Sequence, residues 1–481
     1  MDSWGPTLDL KRELDRLEGG KATGLSGLEL QFRRATLLHR LGRFEQAKAA
    51  YLAVLAQDPS QPACLANLGA LLHETDFRSA AMVVFRRLIA LQPGRALGHV
   101  GLARVLADHG DPAAARSHYE QALALEPACA EAHQGLAALL MELRDEEGAL
   151  RHGSLGWEGR PLVAWPYRGT SRPTKLLVLA SARGGNTPLR KALDDRLFQA
   201  TVVTMEYLGE GQALPPHDLV FNAIGDADLC GGALGLAENA LRGNRAPVIN
   251  PPTAVGATGR AANAGRLGSL AGVRCPRTEE LGRALLEAPG AADELGRRGL
   301  GFPLLLRAQG FHAGRHFVKV DDAGGLAEAL QTLPGRDILA MQFLDARSPD
   351  GKIRKYRAMS IGGRLLPLHA AVSRDWKIHF FSADMGDPAH RAEDEAFLRD
   401  MPGVLGPAWP ALQSVAAALG LDYAGVDFSL SPDGELLLFE ANATMVILPP
   451  SPGGAWEYRR EPVRRVIDAF TGLLLSRAAA A

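Results

Sequence analysis

Between residues 28 and 150 apolar side chains recur at helical spacing, and the pattern itself repeats. Pro59, Pro93 and Pro127 stand 34 residues apart, and each closes a helical run: LAQDP, IALQP, LALEP. The same step links Ala47, Ala81, Ala115 and Ala149; the aromatics Tyr51, Phe85 and Tyr119; and the small residues Ala35, Gly69, Ala103 and Ala137. Between them falls a turn position held by Gly42, Asp76, Gly110 and Arg144. This grammar predicts antiparallel helix pairs. Small residues let two helices approach, the aromatic fills the gap against the next repeat, and proline stops the second helix. Three copies are complete, and a fourth lacks the aromatic and the terminal proline. Residues 1–27 read as a short helix and linker.

After Gly153 the period ends. Residues 156–174 carry Gly, Pro, Trp and Arg without periodicity and read as a linker. From Lys175 short apolar runs alternate with helical stretches: Leu176–Ala180, bounded by Pro173 and Gly184-Gly185, suits a buried parallel strand. A helix is expected over 187–197 and another near 231–242, with strands at Ala200–Met205, Asp218–Ile224 and Pro247–Asn250. Together, 175–276 predict a small open α/β sheet. The Gly184-Gly185-Asn186 turn lacks the G-x-G-x-x-G spacing, and no acidic residue closes the second strand, which argues against a nicotinamide cofactor.

The 34-residue columns resemble tetratricopeptide repeats over residues 28–155. That resemblance implies an all-α solenoid offering a groove to a peptide or protein, or a surface for self-association or for packing on the next domain. Composition narrows the field further. With 53 Lys+Arg against 54 Asp+Glu, the formal net charge is −1. That disfavours nucleic acid and membrane surfaces, whose binders usually carry a basic excess. Cys64, Cys129, Cys230 and Cys275 are widely separated with no CxxC, so a reducing compartment without disulfides or zinc is expected. No signal-like start and no long apolar run is present, and a cytoplasmic location is expected.

The strongest chemical signal lies at 420–442. Two strands are joined by the turn Ser431-Pro432-Asp433-Gly434; Asp427 lies on the first, Glu440 and Asn442 on the second, two apart and therefore on one face. Two carboxylates and an amide oxygen converging inside apolar strands make a hard oxygen site of the kind Mg²⁺ on nucleotide phosphates prefers.

On these residues the chain from about 175 to 475 resembles the ATP-grasp superfamily, which includes D-alanine–D-alanine ligase, glutathione synthetase and ribosomal-protein glutamate ligases. The resemblance implies a pre-ATP-grasp α/β domain over 175–276 and an ATP-grasp α+β domain over 277–476, using ATP and Mg²⁺. It implies Asp427, Glu440 and Asn442 as metal ligands. Arg266 and Arg307 stand where the family generally has Lys, with Arg307 at the phosphates. The loop 309–315, with Gly310, His312, Gly314 and Arg315, matches the flexible glycine loop over the phosphates, with Lys319 following. Glycines let backbone N–H groups approach phosphate oxygens there. Gln342, Phe343 and Leu344 match the adenine hinge, with Asp345 near the ribose. Between 353 and 379, strand alternation puts Lys355 and Arg357 on one face. Arg357, followed by Arg374 and Lys377, matches the basic residue for the transferred phosphate.

The implied reaction is carboxylate–amine (or thiol) ligation through an acyl-phosphate, releasing ADP and phosphate, on a peptide or protein-linked substrate presented by the repeats. Two alternatives stand beside it: a phosphotransferase on the same fold, and a non-catalytic repeat scaffold with a regulatory or degenerate ATP site. The carboxylate and the acceptor are not legible, and a homo-oligomer is compatible with the repeats.

Overall fold

The computed structural model describes residues 5–19, 26–143, 145–157, 161–209, 211–308, 316–378, 380, 383–450 and 453–480. The chain forms two compact units: Met1–Leu176 with Asp195–Gln212, and Leu177–Asp194 with Ala213–Ala481. Each is taken by itself.

The first unit opens with α1 (Gly5–Glu18), then four helix pairs: α2 (Gly27–Arg40) with α3 (Phe44–Gln57), α4 (Pro62–Glu74) with α5 (Arg78–Leu91), α6 (Ala96–His109) with α7 (Pro112–Leu125), and α8 (Ala130–Glu142) with α9 (Glu146–Trp157). The expected punctuation holds. The helices α3, α5 and α7 each end two residues before the periodic proline. Gly42, Asp76 and Gly110 all take left-handed backbone at the turn; Arg144 lies outside the described residues. The aromatic column packs as predicted, though its partners include glycines one column over. A Cβ on Gly101 would meet the Phe85 ring at 2.3 Å, and one on Gly135 the Tyr119 ring at 2.3 Å. Tyr51, Phe85 and Tyr119 are buried in one continuous core with Leu37, Leu71 and Leu106.

Residues 156–174 are not wholly a linker: β1 (Leu162–Ala164) pairs antiparallel with β3 (Phe198–Thr204). The strand β2 (Thr174–Ala180) follows. The helix expected over 187–197 does not form. Pro188 has no N–H to give a helix, and the Thr187 N–H and Oγ1 are drawn to the carbonyls of Ala223 and Ala443, leaving one turn at Leu189–Leu193.

In the second unit β4 (Leu219–Asn222) pairs parallel with β5 (Val248–Ile249), and α10 (Ala227–Ala240) runs between them, capped by Asp226. Short α11 (Pro252–Gly256) and α12 (Arg260–Leu267) lead to β6 (Val273–Arg274). A four-stranded antiparallel sheet follows, ordered β7-β10-β8-β9, from β7 (Thr278–Gly282), β8 (Leu304–Ala308), β9 (Phe317–Val320) and β10 (Asp337–Gln342). Its apolar face buries α13 (Arg283–Glu287), α14 (Ala291–Arg297) and α15 (Leu326–Thr332) around Leu295, Leu304 and Ile338. A five-stranded sheet completes the unit, ordered β12-β11-β13-β14-β6, with β11 (Ile353–Ile361), β12 (Arg364–Ser373), β13 (Tyr423–Leu430) and β14 (Leu436–Asn442). It is covered by α16 (Pro388–Arg399), α18 (Trp409–Leu419) and α19 (Arg460–Ala479), with α17 (Met401–Leu405) packed on α16. The aromatics Phe221, Tyr423 and Phe470 meet edge to face and join β4, β13 and α19. Asn250 exchanges two hydrogen bonds with the Tyr423 backbone, and Asn263 donates to the Ala441 carbonyl at 2.8 Å; these fix the open sheet and α12 against β13 and β14.

Candidate functional site

The site grows from strand register. β11, β13 and β14 run antiparallel, and Arg357 pairs with Asp427, which pairs with Glu440. Directly opposed residues share a face, so a guanidinium and two carboxylates stand in one row across three strands. Two bulges flank that row: Leu368 is extra opposite Arg357–Ala358, and Phe439 is extra opposite Asp427–Phe428. Bulges break the strict alternation of a strand and re-aim side chains at its end. Asn442 stands two residues beyond Glu440, opposite Gly425.

The charges are tightly committed. Asp427 is only 1% exposed, and its carboxylate accepts from Arg357 Nε at 2.5 Å, Arg357 Nη2 at 2.7 Å and Lys355 Nζ at 2.7 Å. Burial by itself would raise the Asp427 pKa, but Arg357 and Lys355 outweigh it and hold the carboxyl far below the usual range. Glu440 Oε1 accepts from Arg260 Nη2 at 2.8 Å and from Asn442 Nδ2 at 2.9 Å. Burial again opposes its charge, and Arg260 and Arg307 bring the net value down to about 2. Arg260, at the start of α12, also binds Asp228 at 2.8 Å and lies 3.6 Å from Asp226, so three carboxylates keep it protonated against the cost of burial. Arg307, on β8, is pushed the other way: burial and then Arg260 lower its pKa. An anion arriving there would relieve both.

Of these groups, Arg307, Lys355, Arg357, Asp427 and Glu440 line a cleft of about 590 Å³ with the Gln342-Phe343-Leu344 segment that follows β10. Apolar walls come from Leu305, Met341, Ile353 and Phe439; Trp376 closes against Phe317 and Phe343, with ring centroids 5.3 and 6.4 Å away. Lys377 donates to the Phe317 carbonyl at 3.0 Å, tying the segment after β12 to β9. At the other side stand Gly185, Asn186 and Thr444. The volume lies within the range of small-molecule sites, roughly 300–1,000 Å³.

Of the residues singled out in the sequence, Arg307, Gln342, Phe343, Leu344, Arg357, Lys377, Asp427 and Glu440 line this one cleft. Asn442 lines a smaller hollow beside it with Asp226, Asp228 and Arg260. Four others are placed elsewhere. Arg266 donates to Ala418 O and Asn263 Oδ1, which uses it to hold α12. Asp345 caps the Arg347 N–H in solvent. Arg374 is exposed, its backbone N–H bonded to Asp384. Lys319 pairs with Asp321 and lies 4.7 Å above the Phe343 ring, behind the lining. Gly310, His312, Gly314 and Arg315 lie outside the described residues. Sequence reasoning did not assign Lys355, whose signal was its place two residues from Arg357, nor Arg260, which carried none.

The oxygen row can be tested for Mg²⁺. Its donors are hard oxygens, adjacent in register, and Glu440 Oε2 has no partner among the described residues. Asn442 Oδ1 is taken by the Thr444 N–H and hydroxyl, and both Asp427 oxygens by cations. The oxygen donors are of the type a divalent ion takes, and Glu440 Oε2 is the one open to it. Among the described residues no three His, Cys, Asp or Glu side chains form a ready cluster. All four cysteines are free thiols.

Residues 32–96 and 100–154 match the family model of the tetratricopeptide repeat. The helix pairs of the first unit are therefore a tetratricopeptide-repeat region, followed by the mixed α/β unit. No curated protein matches the chain. Solved structures similar to its helical part include a MamA fragment from Desulfovibrio magneticus RS-1, at 19% identity over 31% of this chain and 84% of that one, TM-score 0.28. Pseudomonas aeruginosa PilF matches at 21% identity over 31% and 69%, TM-score 0.29. A thermophilic tetratricopeptide-repeat protein of Thermus thermophilus matches at 20% identity over 32% and 84%, TM-score 0.28. Among the described residues no helix is long and apolar enough to cross a membrane.

Proposed function

We propose that the second unit is an ATP-dependent carboxylate–amine (or thiol) ligase of ATP-grasp type, and that the tetratricopeptide repeats present its peptide or protein-linked substrate. One observation carries this: the Arg357–Asp427–Glu440 row, Arg307 and the Gln342–Leu344 segment open into a single cleft of nucleotide size. In this proposal the base lies among Leu305, Met341, Phe343 and Phe439, its edge toward the 342–344 backbone. Arg307 and Lys377 bind the phosphate chain. A substrate carboxylate attacks the γ-phosphorus, ADP leaves, and an amine or thiol then displaces phosphate from the acyl-phosphate. Arg357 and Lys355 face the transferring phosphoryl group, whose spread charge is stabilised by fixed cations rather than by a protein nucleophile. Mg²⁺, held by Asp427, Glu440 and Asn442, would supply further neutralisation of the phosphate charge.

The test is product stoichiometry. Screened with carboxylates and amines, the wild-type protein is expected to release ADP and inorganic phosphate in equal amounts. Arg357→Met should lower that rate at least a hundredfold, as for loss of a positioned transition-state donor, on the order of 3 kcal/mol. ADP without phosphate would instead indicate a phosphotransferase, and turnover unaffected by the substitution would overturn the assignment of the row.

A further inference from the structure

Lys355 has no part in the resemblance described above, yet it determines what Asp427 can do. A carboxylate oxygen has two acceptor positions. Arg357 takes one on each oxygen of Asp427, and Lys355 takes the second on Oδ2, at 2.7 Å, so the position that remains, on Oδ1, lies beside two cations. Both cations are largely buried, at 21% exposure, and Asp427 is almost wholly so. Beside them Glu440 is countered by Arg260, with Arg307 adding positive charge. Among the described residues that line the cleft, Asp427 and Glu440 face Arg307, Lys355, Arg357 and Lys377, two negative groups against four positive ones. The pocket has no surplus negative charge with which to attract a second cation. A phosphate-bearing ligand changes this, because it competes with Asp427 for the ammonium of Lys355, and a lysine on a flexible stem can follow it while the bidentate Arg357 stays.

Resting on the nucleotide cleft proposed above, we infer that Lys355 is a positioning residue that keeps Asp427 from holding a divalent cation until an anionic ligand draws its ammonium away. Metal and anion binding are then coupled through one side chain, and the coupling is reciprocal.

The experiment measures Mn²⁺ binding to the full-length protein by electron paramagnetic resonance, with no nucleotide present. Lys355→Met keeps the length of the side chain and removes its charge, and it is expected to bind one Mn²⁺ per chain at least tenfold more tightly than wild type. Lys355→Gln should show the same gain. Asp427→Asn added to Lys355→Met should abolish it. A gain in affinity is a change that mere structural damage does not produce, and thermal melts check that both variants fold. Wild type binding Mn²⁺ within threefold of both variants would overturn the inference. ATP titrated into the wild type with Mg²⁺ present separates the two proposals. Failure of ATP to bind wild type would sink the nucleotide cleft, while the manganese comparison alone decides the role of Lys355.

Discussion

Single residues settle two features of the molecule. In the repeat turns, Gly42, Asp76 and Gly110 all adopt positive φ, where a side chain crowds its own backbone. At Gly110, with φ of +85°, an added Cβ would meet nothing within 4 Å, so its cost is conformational alone. Gly110→Ala is expected to destabilise the protein by about 1 kcal/mol, read as a lower denaturation midpoint with an unchanged slope. An unchanged midpoint would mean that the turn relaxes to another conformation. In the cleft the deciding residue is Arg260. A buried guanidinium at the start of α12, among Asp226, Asp228 and Glu440, lets acidic side chains from the start of α10 and the end of β14 stand together, where unpaired they would repel.

At the scale of elements, the repeat period carries a second message in its polar contacts. His39 binds Glu74 and, one repeat on, His73 binds Asp108. His99 meets His118 across α6 and α7 with Nδ1 atoms 3.0 Å apart, and His133 meets His152 across α8 and α9 at 2.8 Å. His133 Nε2 lies 2.9 Å from the Pro127 carbonyl and must donate to it. In the neutral pair its Nδ1 therefore accepts, and His152 Nδ1–H donates. Burial lowers the pKa of His99, His118 and His152, with His99 adding to the effect on His118 and His133 to that on His152. Folded values below the unfolded one mean that the unfolded chain takes up more protons as the pH falls. Stability is thus whole above the ordinary histidine range, near 6.5, and declines below it toward the folded values. The melting temperature should fall by a few degrees between pH 7.5 and pH 5, and His118→Gln with His152→Gln should shrink that fall; an undiminished fall would place its cause elsewhere. The helices were legible because their signals are local and repeated: proline, small residue, aromatic and turn all recur at one spacing. The β13–β14 hairpin was legible for a similar reason, since alternation put Asp427, Glu440 and Asn442 on stated faces and the turn 431–434 set the strands side by side. The helix expected over 187–197 failed because distant carbonyls draw the Thr187 N–H and hydroxyl while the Asp195 and Leu197 carbonyls accept from Arg168 and Thr174, partners that no window of sequence displays. Arg266 shows a related limit: a cation that binds a ligand looks the same in sequence as one holding a helix to the Ala418 carbonyl, where the structure places it. Arg260 and Lys355 depend on which carboxylates the fold brings to them, and spacing alone does not reveal that.

The whole molecule joins a repeat scaffold to an α/β unit whose charged groups gather in one place. The repeat region rests on its period, its packing and its family match. The nucleotide cleft is the central claim for the second unit, and its most exposed assumption is that Arg307 receives a phosphate. Burial and Arg260 both work against its charge, so an anionic ligand should gain more from Arg307 than from a solvated surface arginine. Calorimetric titration of ATP into the full-length protein with Mg²⁺, repeated on Arg307→Met, tests this most directly. The account predicts one site per chain and an affinity at least tenfold weaker in the variant, on the order of 1.4 kcal/mol. No binding by the wild type at millimolar ATP, or equal affinity in the two proteins, would contradict it.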